Sequence, residues 1–93
     1  MYKSSDLIII KSVDNGNNHF GVFYVKIGIP VIDSHNEYLT HLIELCKEFD
    51  GTRLNVPYME TSQFLGNKIY NFYVFRFMYF EAAENFYQTI LLD

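Results

Sequence analysis

Glu37, His41, Glu44 and Glu48 recur at intervals of four, three and four residues, so on an α-helix three carboxylates and an imidazole share one side. Oxygen and imidazole donors in such a row are ligands for a divalent metal. A set confined to one helix lacks the convergence of several elements that a closed coordination shell needs. The row is therefore expected to hold no metal and to form a line of negative charge. Cys46 is the single thiol, placed between Ile43 and Phe49 on the apolar side of the same helix, where desolvation raises its pKa and removes its nucleophilicity. His19, His35 and His41 are scattered, and none forms a recognisable nucleophile motif with a neighbouring Ser, Cys or Asp. His35, in the first helical turn, is expected to be exposed. No catalytic residue, metal or cofactor is expected, and the chain reads as non-enzymatic.

A second set has different chemistry. Lys68, Tyr70, Phe72 and Arg76 alternate onto one face of an extended segment, which resembles the basic-aromatic strand with which some small sheet domains stack RNA bases. The small positions of that signature are Ile69 and Asn71 here. Phosphate neutralisation drives most nucleic-acid affinity, and a chain with seven Lys plus Arg and a pI near 5.2 has little cationic surface to offer. Direct nucleic-acid binding is not expected. An RNA-binding module using the strand 68–78 is the alternative.

The elements that must position these residues follow from periodicity. Leu7–Ile10 is an apolar run rich in β-branched Ile, closing at Val13, and Asp14–Asn18 is a cluster of turn formers. A strand is expected over His19–Ile29, ended by Gly28 and Pro30, with apolar residues on both faces. Ser34 and Glu37 have the spacing of a capping box, in which each side chain satisfies the other's backbone amide. Leu39, Leu42, Ile43, Cys46 and Phe49 trace the apolar side of the helix that follows, and Gly51 is its expected stop. Thr52–Met59 reads as an edge or bulged strand because of Pro57, and Gly66-Asn67 as a turn. Lys68–Met78 is the longest expected strand. From about Tyr79 the period becomes helical through Phe86, Tyr87, Ile90 and Leu91, with Glu81 and Glu84 near the positive end of the helix.

This pattern predicts an α+β fold: an antiparallel sheet of about four strands in ββαββα order, with two amphipathic helices on one face. Phe23-Tyr24-Val25 and Phe72-Tyr73-Val74 form a faint echo between the halves. Residues 1–93 make one domain, which must fill a small core with large side chains. Nine Phe and eight Tyr exceed what that core needs, so some rings are expected at a surface that meets a partner or a second copy. A homodimer is expected, through sheet surface or strand edge, with Tyr70, Phe72 and Val74 at the interface. The lone cysteine, the lack of a leader-like start and the short apolar runs point to a soluble cytoplasmic protein.

Charge is unevenly placed. Residues 33–50 sum to −4 and the last seventeen to −3, while the rest sums to +3, giving the formal −4. Both acidic segments are expected helices, so the folded domain should have an acidic, helix-bearing side. Scarce Ala and Arg beside abundant Asn, Ile, Lys, Phe and Tyr match AT-rich coding sequence, as in many phages and other mobile elements, and extend the expected location to a host's cytoplasm. The expected function is a small acidic interaction protein of phage or mobile-element type. Glu37, Glu44, Glu48, Asp50, Glu81 and Glu84 would imitate a row of phosphates and block a basic DNA-binding protein such as a nuclease. A general protein-binding adaptor is the blander form of the same reading.

Overall fold

A computed structural model of the chain describes residues 3–14, 22–55 and 62–92. Five strands and two helices build it: β1 (Ile8–Asp14), β2 (Val22–Pro30), α1 (His35–Glu48), β3 (Thr52–Leu54), β4 (Ser62–Leu65), β5 (Lys68–Phe77) and α2 (Phe80–Leu91). The fold is α+β, and its order approximates ββαββα with one additional short strand in the second half. All pairings are antiparallel. The sheet runs β1-β2-β5, and β3 and β4 share the far edge of β5, opposite residues 74–76 and 68–71.

Alternation along the strands sorts the sheet into two faces. Val25, Ile27 and Ile29 of β2 and Tyr73, Phe75 and Phe77 of β5 point to the helices, where Leu42, Cys46, Phe86 and Ile90 meet them in one buried cluster. Phe86 packs on both Phe75 and Phe77, with ring centroids 5.3 and 5.1 Å apart. Both helices lie on this face; α1 leans on β2 and β3, and α2 on β2 and β5. Among the described residues no helix is long and apolar enough to cross a membrane.

Most element boundaries agree with the periodicity. The expected loop beyond Asp14 and the strand start at His19 lie outside the described residues, as do Pro57 and Met59 in the expected third strand. The Gly66-Asn67 turn joins β4 to β5, with Leu65 opposite Lys68 and Gly66 at φ 63°. A positive φ at the first central residue alone is the pattern of a type II′ hairpin turn, which glycine adopts without steric cost. The echo between the halves does not place equivalent residues alike. Phe23 lies on the helix-facing side of β2, whereas Phe72 lies on the open side of β5.

Both expected ends of α1 are built differently from the sequence reading. Ser34 is the N-cap, but its hydroxyl makes no capping hydrogen bond, so the capping box is absent. The amide of His35 instead donates to the Ile32 carbonyl in the turn that leads into the helix. At the other end the left-handed residue is Asp50, at φ 58°, and not Gly51. The amides of Gly51 and Asp50 donate to the carbonyls of Cys46 and Lys47, which is the paired bonding of a Schellman motif. Gly51 is required for space: a Cβ there would overlap the Phe77 ring and lie 2.6 Å from Cys46 Sγ, both buried.

Space at residue 51 and backbone angle at residue 50 are thus separable. Gly51→Ala should destabilise the domain by about 1–3 kcal/mol through overpacking. Asp50→Gly should stabilise it by several tenths of a kcal/mol, since it relieves the left-handed conformation of an L-residue at some entropic cost. Urea denaturation of the two variants checks both, and equal destabilisation would contradict this account of the turn.

Candidate functional site

The outer side of α1 is the densest group of like charges. Its inner side is committed to the core by Tyr38, Leu42, Leu45 and Cys46, so helical geometry turns Glu37, His41, Glu44 and Glu48 toward solvent. All four are exposed, as are Asp33 before the helix and Asp50 after it. Lys47 is the cation nearest in sequence, and it sits in the last turn, where it complements the negative helix end. Glu44 and Glu48 are like charges one turn apart, which costs a few tenths of a kcal/mol. Among the described residues, no three His, Cys, Asp or Glu side chains converge as metal ligands.

The acidic residues of α2 differ. Glu81 is exposed, but Glu84 accepts hydrogen bonds from Gln88 Nε2 (3.1 Å) and from Lys11 Nζ of β1 (3.2 Å). The bond from Gln88 first, and then that from Lys11, hold its carboxyl below the usual range. Lys11 also lies 4.0 Å from the centroid of the Tyr87 ring. Glu84 is therefore paired within the chain, and the two helices do not present equivalent carboxylates.

The aromatic strand is arranged as expected but is not open. Lys26, Lys68 and Arg76 share the sheet face opposite the helices with Tyr70, Phe72 and Val74. Phe72 and Val74 are each only 3% exposed. The Phe72 ring lies across Gly28, where an added Cβ would sit 2.6 Å from the ring, and Lys26 Nζ caps it 5.0 Å from its centroid. Of the three residues expected at a dimer interface, Tyr70 alone retains substantial exposed surface. Much of β5 is also paired on both sides, with β2 along residues 70–77 and with β3 and β4 along 74–76 and 68–71.

Sequence reasoning misplaced His35. It is 7% exposed, and its Nε2 lies 3.1 Å from the hydroxyl of Tyr73, itself buried on the helix-facing side of β5. His35 Nδ1 lies 3.2 Å from Asn36 Oδ1. With the Asn36 amide oxygen accepting, Nδ1 carries the hydrogen and Nε2 accepts from the Tyr73 hydroxyl, which satisfies a neutral imidazole at both nitrogens. The Arg53 guanidinium stands 5.4 Å from the Tyr73 ring centroid. The pair is a structural polar link between α1 and the central strand. Burial pushes the Cys46 thiol on the inner side of the same helix up to about 12. Compared with models of known protein families, with curated proteins and with solved structures, the chain matches none.

Two outcomes test this description. Tyr73→Phe should cost about 1–3 kcal/mol, because it leaves a buried imidazole nitrogen without its donor. The same change made together with His35→Phe should add much less than it does alone, as a double-mutant cycle in denaturant would show. The Cys46 thiolate is disfavoured in the fold, so the unfolded state loses this proton first, from about pH 9.0, and the folded state near 12. The thiol's contribution to stability is full below pH 9.0 and falls as pH rises toward 12. Cys46→Ala should flatten that part of the stability–pH curve, and at neutral pH a thiol reagent should label the native protein only as fast as it opens.

Proposed function

We propose that this protein is a non-enzymatic inhibitor that presents the outer side of α1 to the cationic groove of a DNA-binding protein, in place of the nucleic acid. The observation that carries the reading is the exposed row Glu37, Glu44 and Glu48, extended by Asp50. With a rise of about 1.5 Å per residue, these carboxylates recur over steps of roughly 6 and 10 Å along the helix. Duplex DNA has a phosphate about every 3.4 Å of axis on each strand, so the row is sparser and would answer roughly every second or third cationic group of a phosphate-binding surface. Exposed charges of this kind act by steering and complementarity, and salt screens them.

Charge placement favours this over the RNA-binding alternative. Of the cations on the open sheet face, Lys26 already caps the buried Phe72 ring, which leaves Tyr70 as the one partly exposed ring of the expected stacking strand. Glu84, paired to Lys11, is the weakest member of the expected set, and Glu81 stands on the second helix.

Displacement from DNA tests the proposal. A bacterial lysate is bound to immobilised DNA, and the purified protein is added at low salt. The native chain should release one or a few DNA-binding proteins, with at least tenfold loss of release when Glu37, Glu44 and Glu48 are all changed to Lys. Release should also fall steeply between roughly 50 and 200 mM salt. Circular dichroism confirms that the triple variant is folded. No release by the native chain, or equal release by the folded triple variant, would refute the proposal.

A further inference from the structure

The outer edge of β1 is unpaired among the described residues, so a seven-residue strand presents backbone donors and acceptors that only another strand satisfies in register. Lysine in such a strand ordinarily guards it against pairing. Lys11 is instead drawn back onto α2 by Glu84 and the face of Tyr87, which leaves the edge undefended. Both layers beside the edge carry exposed apolar side chains, next to the Lys11–Glu84 ion pair on the helix-facing side and Ser12 on the open side. On the helix-facing side Val13 is 51% and Phe80 55% exposed, and they line a cleft of about 390 Å³ with Phe23 and Ala83. On the open side Ile10 is 48% exposed. Phe80, Glu84, Tyr87 and Leu91 follow one another at intervals of four, three and four, and the contacts of Glu84 and Tyr87 with Lys11 turn this stripe of α2 toward β1.

We propose that this edge is the interface of a homodimer in which β1 pairs antiparallel with β1 of a second copy and the two sheets become continuous. The occupant is a second copy because two layers need covering. An extended peptide would satisfy the backbone of β1 and leave Phe80 and the flank of α2 in water, whereas a twofold-related copy brings a strand to the strand and a helix flank to the helix flank. The arrangement is also free of the main charge conflict. The row of Glu37, Glu44 and Glu48 is on α1, which packs over β2 and β3 and not over the β1 edge, so dimerisation would leave both rows outward.

Light scattering at high micromolar concentration reads the result directly. The native chain should have twice the 11.0 kDa mass of one copy. Ile10→Lys and Phe80→Glu, on opposite sides of the edge, should each return the mass of a single folded chain, while Ile32→Lys, at a different exposed apolar site, should leave the dimer intact. Hydrogen exchange of the β1 amides should be slow in the native protein and at least tenfold faster in the two edge variants. A native monomer, or a dimer that resists both edge variants or is broken only by Ile32→Lys, would overturn the proposal. A monomer whose β1 amides become protected only on adding another protein would also overturn it, and would give the edge to a foreign strand. None of these readings involves the acidic row, so the inference stands or falls separately from the proposed inhibitor function.

Discussion

Phe75 and Phe77 on β5, packed against Phe86 of α2, are the contact on which the rest of the domain depends. Each ring removes on the order of 150–250 Å² from water, worth several kcal/mol as an upper bound. Among the described residues the buried apolar side chains form one cluster, and these rings lie in it. The same two side chains constrain the neighbours. Arg53 of β3 pairs opposite Phe75, and the chain leaving α1 passes so close to Phe77 that residue 51 has no room for a side chain. β5 thus has partners on each side and supports α2, while the neighbouring β2 lies under both helices.

A sheet covered by helices on one face divides the chemistry of this protein into two sides. Each helix spends one side on the core and turns the other outward, and on α1 the outward side is acidic. The opposite sheet face has Lys26, Lys68 and Arg76, and its Phe72 ring packs on the sheet itself at Gly28. Such a division suits a protein that acts by surface complementarity. The buried polar pair of His35 and Tyr73 fits the same picture: it has the partners a neutral imidazole and a phenol require, and what it supplies is a fixed position for the start of α1 beneath the acidic row. The two proposed surfaces, α1 and the β1 edge, belong to different parts of the sheet and would not compete.

Much of this architecture was determined by the sequence alone. The helical periods ending near Phe49 and beginning near Tyr79, the alternation through β2 and β5, and the Gly66-Asn67 turn are local patterns, because backbone geometry decides which side chains share a side before any tertiary contact forms. For that reason the exposed row of Glu37, His41, Glu44 and Glu48 and the burial of Cys46 were legible in advance. Tertiary structure alone decided everything that required knowing what lies across a gap. His35 was readable as a first-turn residue but not as the partner of Tyr73, thirty-eight positions away. Gly51 looked like a helix stop by residue type, yet Asp50 takes the left-handed turn and the Phe77 ring dictates the glycine. Glu84 looked equivalent to Glu44 until β1 brought Lys11 beside it. Phe72 and Val74 looked like exposed strand positions until the sheet order set β5 inside, because a period of two assigns a face but cannot say whether that face is already covered.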